Sequence, residues 1–504
     1  MNKANYKYLF VFCSCMLLFT TAKAQPNIEW EKSYGGSGFE FLYSMQTTAD
    51  GGYILAGSSV SNDGDLTNNQ GAGDYWIVKI DSIGTLEWQK SYGGSENDEA
   101  YSVQQTTDGG YIVAGMSNSN DGDINDHNGS VTISDYWVLR LDNLGNIIWK
   151  KSYGGFAADI AYAVRQTTDG GFIVAGDSGG NYWIVKIDAL GVVQWDKLLG
   201  GNGFDIAYSV QQTTDGGYVV SGSTNSSDGD VSVNKGGLDY WVVKLDSLGN
   251  IIWEKSYGGS NHDNLPSVRN TLDNGFIICG ISNSNDGDVS QNINNTGGLW
   301  VVKTNQLGDI LWEKFIDSIS LGGGLPWTVN DVLHISLNNG VVIAGKTNYN
   351  NSMYWIGLLD AQGNQIWTKT MGGSGIDDAR AVVQNSDGSY LVAGHTNSSD
   401  GDVSLNKGMT DFWVVKLSAV VSIDEIENTP SISIYPNPTN GIFTIKSAQL
   451  IDEIEVINTL GQTVYSKKAT SKNIMVNLTS FPKGLYLVQL KTNMNSVTKK
   501  IVYE

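Results

Sequence analysis

The chain has almost no cysteine, and the little it has excludes a disulfide scaffold. Of three cysteines in 504 residues, Cys13 and Cys15 lie in an apolar stretch near the start, and only Cys279 stands beyond it. A lone thiol forms no internal disulfide. Cys279 sits in Phe276-Ile-Ile-Cys-Gly280, where the other repeats place Ala56, Ala114, Ala175, Ser221, Ala344 and Ala393. It therefore reads as a small buried hydrophobe, not a nucleophile. Long apolar runs are missing after residue 24, and none approaches the roughly 18 residues of a membrane helix. Positive charge is scarce. The net charge is −21, and removing Lys3, Lys7 and Lys23 takes it to −24. Such a surface disfavours nucleic acid and anionic membranes as partners. No nucleophile elbow, phosphate loop or zinc motif occurs. His127, His262 and His395 share no metal-ligand spacing. A long helical period is absent as well, which leaves strands as the building material.

What is present begins with a leader. Lys3 and Lys7 precede the apolar stretch Leu9 to Phe19, and Ala22-Lys23-Ala24 offers a small-x-small cleavage site before Gln25. Residues 1–24 read as a secretory signal peptide. No small-residue lipobox precedes Cys13 or Cys15.

Fourteen of the fifteen tryptophans then fall into two interleaved series of seven. One is Trp30, Trp88, Trp149, Trp195, Trp253, Trp312 and Trp367; the other is Trp76, Trp137, Trp183, Trp241, Trp300, Trp355 and Trp413. Spacing within each series is 46 to 61 residues, the signature of a supersecondary unit that buries its apolar face only by stacking on copies of itself. The second repeat displays four short runs: Ala100 to Thr106, Tyr111 to Gly115, Asp135 to Leu141 and Asn146 to Lys150. Each is rich in β-branched or aromatic residues and bounded by Gly, Asp or Asn. Four strands (a, b, c and d) per repeat are the blade of a propeller. The expected fold is all-β: a seven-bladed β-propeller over residues 25–417, with the tryptophan-bearing d strand outermost. The array starts with a lone d strand, Asn27 to Ser33, and ends with a c strand, Asp411 to Leu417. Pairing the two would close the ring and remove two exposed edges. Three repeats deviate: the third has a short b–c loop at Asp177-Ser-Gly-Gly180, the fifth has Pro266 in its a strand, and the sixth carries Gly322-Gly-Gly-Leu-Pro-Trp327.

The Asp-x-x-Gly-x-x-x-Trp stretches, such as Asp81 to Trp88 and Asp246 to Trp253, resemble the tryptophan-docking motif of quinoprotein-type propellers, one residue shorter between Asp and Gly. That resemblance implies a packing role for the ring, without the quinone. Thr106-x-Asp108-x-Gly110 and its copies resemble the Asp-box turn of sialidase propellers, a structural motif.

Composition changes after Leu417. Residues 418–430 read as an acidic linker with Asp424, Glu425 and Glu427. Alternating runs over residues 431–504 imply a small antiparallel β-sandwich. Tyr435-Pro-Asn-Pro-Thr-Asn-Gly441, Leu460-Gly461, Phe481-Pro-Lys-Gly-Leu-Tyr486 and a basic-apolar end resemble the type A C-terminal sorting domain of type IX secretion cargo. The resemblance implies export across the outer membrane, recognition by the type IX machinery, and a secreted or surface-attached product. Tyr435, Pro436, Asn437, Pro438, Gly441, Gly461, Gly484, Lys499 and Lys500 are its candidate signal residues. With eight lysines against four acidic residues, this module is basic while the rest is acidic.

Candidate sites stand out against repetition, because a residue copied round the array is usually scaffold. Asp98, Asp159, Asp205, Asp263 and Asp377, with Glu40 in the first repeat, form such a column and read as turn acceptors. Five b–c loops carry Asp-Gly-Asp: Asp63 and Asp65, Asp121 and Asp123, Asp228 and Asp230, Asp286 and Asp288, and Asp400 and Asp402. Two carboxylates flanking a Gly can present oxygens to a calcium ion. The loop lacks the closing Glu of a calcium-binding hand, so a solvated turn is the competing reading. One a-strand column varies: Gln46, Gln104, Arg165, Gln211, Arg269, His334 and Val383. If it faces the channel, Arg165 and Arg269 suit a carboxylate or sulfate, with His334 and Trp327 nearby. The reading favoured by uniform blades is an exported, non-enzymatic binding or adhesion module for a glycan or protein. The alternatives are a hydrolytic, carbohydrate-active propeller with its site on the channel face and a purely structural surface component.

Overall fold

The computed structural model describes all residues except 1–24, 128–132, 294–296, 318–327, 336–339, 348–351, 421–431, 459–461 and 492–495. The expected signal peptide, most of the linker, Trp327 and Gly461 therefore lie outside the described residues. The chain divides into two compact units, Met1–Val420 and Val421–Glu504.

The described secondary structure of the first unit is all strand. Glu40–Thr47, Tyr53–Ser59, Asp74–Ile80 and Leu86–Tyr92 form a four-stranded antiparallel sheet in the order a-b-c-d. The arrangement recurs over 98–153, 159–199, 205–257, 263–317 and 328–371. A seventh sheet takes Asp377–Gln384, Tyr390–Thr396 and Asp411–Leu417 from one end of the unit and Ile28–Tyr34 from the other. Ser33 stands opposite Trp413, and Trp30 opposite Lys416. Such sheets resemble propeller blades. Every a strand touches the a strands of the sheets before and after it, and that of the seventh touches that of the first.

Burial explains which run becomes which strand. Strands b and c are covered on both faces, so Tyr53–Ser59 and Asp74–Ile80 are buried throughout and read as continuous apolar runs. The c-strand rings Trp76, Trp137, Trp241, Trp300 and Trp413 are fully buried. The d strands lie at the sheet edge, and their tryptophans dock on the next sheet. Trp30 rests on Gly84, Trp88 on Gly145, Trp149 on Gly191, Trp195 on Gly249, Trp253 on Gly308 and Trp312 on Gly363. Each of these glycines has φ between 76° and 80°, and a Cβ there would come within 3.2 Å of the ring. Only glycine fits both demands.

Ion pairs matter less than these rings. Lys79–Asp50, Lys186–Asp169, Lys244–Asp215 and Lys303–Asp273 recur between c strand and a–b turn, with more than half of each Asp side chain exposed. Such a pair contributes on the order of 1 kcal/mol or less. Removing a buried tryptophan ring costs about 3–5 kcal/mol.

The second unit departs from the expected sandwich. It is one five-stranded sheet in which Ile442–Asn458, 17 residues long, pairs with Ile432–Tyr435, Thr463–Asn477 and Gly484–Lys491, and the last of these with Ser496–Tyr503. Register breaks between Lys446 and Ile451 let one strand serve both ends. Phe443 and Ile445 from one half and Ile454 and Val456 from the other share a core with Val488, Leu490 and Ile501. One bent strand thus does the work of two sheets.

Deleting residues 27–34 would bare the main-chain edge of Asp411–Leu417 and remove the Trp30 and Tyr34 contacts. The melting temperature is expected to fall by about 10 °C or more, with self-association measurable by sedimentation. A shift within about 2 °C would mean that this strand is dispensable.

Candidate ligand-binding site

The a strands enclose a cavity of about 400 Å³. The varying column converges there: Gln46, Gln104, Arg165, Gln211, Arg269 and Val383 all line it. His334 holds the same register, opposite Val341 as Arg269 is opposite Ile277, but its side chain lies outside the described residues, and so does Trp327.

A second set of lining residues was not visible in the sequence. Each a strand carries a β-bulge, and the residue skipped in the register is Tyr43, Tyr101, Tyr162, Tyr208 or Arg380. All five line the cavity. A bulge re-aims its extra side chain, here toward the channel. The fifth sheet uses Leu265 and Pro266 instead, with Leu265 at φ 57°, and the register of the sixth skips Asn330.

The tyrosines form a chain of rings. Centroids are 4.8 Å apart for Tyr43–Tyr101, 5.3 Å for Tyr101–Tyr162 and 5.3 Å for Tyr162–Tyr208. Glu99 accepts hydrogen bonds from the hydroxyls of Tyr43 (3.0 Å) and Tyr101 (2.8 Å). Burial, with Asp177 and Glu99 adding to it, pushes Tyr162 up to about 12, and burial raises Tyr43, Tyr101 and Tyr208 as well. The phenols stay neutral and can donate hydrogen bonds.

The arginines are held by the same wall. Arg165 Nη1 donates to Val164 O (2.7 Å) and Ser102 Oγ (3.2 Å). Arg269 Nη1 donates to Val268 O (3.0 Å) and Ser267 Oγ (3.1 Å). Arg380 lies over the Tyr43 ring at 5.7 Å and donates to Asp378 Oδ2 at 2.7 Å. Asp378 also meets Lys346 at 3.0 Å. Its burial would raise its pKa, but Arg380, His395 and Lys346 outweigh that and hold it low.

The Asp-Gly-Asp loops lie elsewhere and act as clamps on the turns between sheets. The first acids, Asp63, Asp121, Asp228, Asp286 and Asp400, accept the main-chain N–H of Ser37, Ser95, Asn202, Ser260 and Ser374 respectively, at 2.7–2.8 Å. The second acids, Asp65, Asp123, Asp230, Asp288 and Asp402, accept from Gly35, Gly93, Gly200, Gly258 and Gly372 at 3.0–3.3 Å. These amides belong to the Gly-Gly turns that link consecutive sheets. The two carboxylates of a loop thus take the third and first amides of one turn, Ser95 and Gly93 in the second sheet. Asp65 and Asp288 are further paired with Lys407 and Lys235, which supply the positive charge a metal would bring. The central glycines have φ of 62–68°. Among the described residues no group of three His, Cys, Asp or Glu could hold a metal ion. The acidic column completes the clamp. Glu40, Asp98, Asp159, Asp205, Asp263 and Asp377 are buried, and each accepts from the second glycine of its turn, as Asp98 does from Gly94 at 2.8 Å.

In the sorting module, Asn437 ties the Tyr435-Pro-Asn-Pro438 loop to the last strand: Nδ2 donates to Lys500 O (2.9 Å), and Oδ1 accepts from Val502 N (3.0 Å). Gly441 has φ 100° and packs against Thr479 and Tyr503. Gly484 opens the strand that pairs with the last one, and Lys500 is exposed.

Residues 433–504 match the secretion system C-terminal sorting domain family. The chain is a type IX secretion cargo. Its destination is the cell surface or the surrounding medium. Over 141 residues it is 30% identical to the regulatory protein FlaEY of Caulobacter vibrioides, a match spanning 26% of this chain and 15% of that protein. Among solved structures it is similar to the Pan2 WD40 domain of Neurospora crassa (11% identity, TM-score 0.43, 75% of this chain and 89% of that one). It is also similar to PorZ of Porphyromonas gingivalis, a surface component of the type IX system (10% identity, TM-score 0.28, 95% and 75%). Among the described residues no helix is long and apolar enough to cross a membrane.

The clamp acid Asp98 and three acids that open c strands, Asp74, Asp239 and Asp411, which accept from the main-chain N–H of Gln70, Lys235 and Lys407, carry a pH signature. Burial pushes Asp74 and Asp239 up to about 7, with Asp98 and Asp263 respectively adding to the shift, and burial pushes Asp98 and Asp411 to about 6. These groups bind protons more tightly folded than unfolded, so their stabilising contribution is complete below about pH 4 and lost as pH rises through 6–7. Burial lowers His395 to about 4, an opposing effect confined to pH below about 6.5. Thermal melts from pH 8 to pH 6 should therefore show a rising midpoint, and Asp74→Asn with Asp239→Asn should raise the midpoint at pH 8 and flatten the curve. A midpoint that falls over this range would contradict the assignment.

Proposed function

We propose that residues 25–417 form a seven-bladed propeller, closed by its own first strand, that acts outside the cell as a non-enzymatic binding module. Residues 1–24 direct export as a signal peptide, 418–430 act as a linker and 431–504 carry the sorting signal. Closure is supported by interactions joining the seventh sheet to the first: the Ile28–Tyr34 strand, Trp30 on Gly84, and Lys407 on Asp65. The type IX machinery reads the second unit, where Asn437 and Lys500 meet at one edge.

One observation carries the binding reading. In a repeat whose scaffold positions are nearly uniform, one varying column, Gln46, Gln104, Arg165, Gln211, Arg269 and Val383, lines the cavity. A glycan array with the mature protein (residues 25–504) tests it, with Gln46→Trp and Gln211→Trp filling the cavity as controls. Binding should weaken at least about tenfold in the plugged variants while the melting temperature stays put. Ligands retained at full strength by both variants would place recognition elsewhere.

A further inference from the structure

The chain has only four arginines among its 31 basic residues. Three of them, Arg165, Arg269 and Arg380, line this one cavity. The fourth, Arg140, serves the scaffold: it occupies the c-strand position of Lys79 and Lys186 and pairs with Asp108 of an a–b turn. In a protein of net charge −21, this wall gathers three guanidiniums; Arg380 is paired with Asp378 and Glu99 stands behind Tyr43 and Tyr101, so Arg165 and Arg269 carry the argument. The lining residues include no carboxylate among those described. Asp331 of the sixth sheet stands at the register of Ser267, each opposite the residue before the b-strand glycine.

We infer that the cavity takes an anionic sugar ring, carboxylated or sulfated. This rests on the binding reading above and names the ligand that reading leaves open. Guanidinium presents paired donors that match the planar oxygens of a carboxylate or the face of a sulfate. Ser102 and Ser267, with the adjacent carbonyls, fix Arg165 and Arg269 in place before a ligand arrives, which limits the entropy lost on binding. The tyrosine chain supplies flat apolar faces beside that charge, the pairing of surfaces that a charged pyranose offers in return. The volume of about 400 Å³ lies at the small-molecule end of ligand pockets, roughly 300–1,000 Å³. It fits a short segment of a chain, not a folded partner. A fixed cationic wall in a strongly acidic protein also selects against cationic and neutral competitors.

Titration calorimetry of the mature protein with hexagalacturonate, a dextran sulfate oligomer of similar length, and cellohexaose tests this. Binding of the first, the second or both, weakening with salt and absent for cellohexaose, is expected, and the stronger arm identifies the anion. Arg165→Gln and Arg269→Gln should each cost about tenfold, and the double variant should abolish binding with its circular dichroism unchanged. Arg→Lys should recover part of the affinity. Acidic binding undiminished in the double variant would overturn the proposal, because the basic C-terminal module would then be the binder. So would absence of both acidic ligands. Cellohexaose bound as tightly as the acids, and blocked by Gln211→Trp, would overturn the anionic class while leaving the cavity as the site.

Discussion

Everything in the first unit depends on how one sheet is joined to the next. At each Gly-Gly turn between sheets, main-chain amides turn inward and need acceptors. The Asp-Gly-Asp loop and the acid that opens the a strand supply them: Asp121, Asp123 and Asp98 take the amides of Ser95, Gly93 and Gly94. A buried amide left without an acceptor is costly, so each turn has one satisfactory geometry. The Trp-on-glycine contact at the far end of the same junction sets the second point of attachment. Two fixed points per junction leave little freedom in the angle between sheets.

That rigidity is what permits a site in the middle. Neighbouring a strands are tied by Ser44 to Val103 N and by Ser102 to Val164 N, both at 3.2 Å. Their bulges then project Tyr43, Tyr101, Tyr162, Tyr208 and Arg380 at fixed positions. Scaffold and recognition are carried by different residues of the same repeat. Clamp acids recur because the turns they hold recur: six turns have the a-strand acid, and five of these also have the Asp-Gly-Asp pair. The column of Gln46, Arg165 and Arg269 varies from sheet to sheet.

The tryptophan series was legible in the sequence because it recurs every 46 to 61 residues, and the four-strand unit and docking glycines because they rest on short β-rich runs or on a turn residue with one conformational role. The clamp acids were legible as scaffold, since they are copied, though not which amides they hold. That gap is why the Asp-Gly-Asp pairs, Asp228 with Asp230 or Asp400 with Asp402, suggested calcium: a cation and a tight turn of amides ask for the same oxygens at the same spacing. The channel column was legible for the same reason in reverse. The bulge residues were not. A bulge shifts the alternation by one without changing residue type, so Tyr101 reads as one more strand aromatic. Arg380 escaped notice because it stands where other repeats have tyrosine. The second unit misled the reading because five alternating runs suggest two sheets, whereas one 17-residue strand with a register break serves both halves.

The central claim is that seven sheets close into a ring with no terminal member. Native-state hydrogen exchange tests it most directly. The amides of Lys32 and Val414, at the junction of the first and last strands, should exchange only through the same global opening as Val113 and Val138 in the second sheet. If Lys32 and Val414 exchange first, at a distinctly lower free energy, the array is an open stack that frays from its ends, and the ring is wrong.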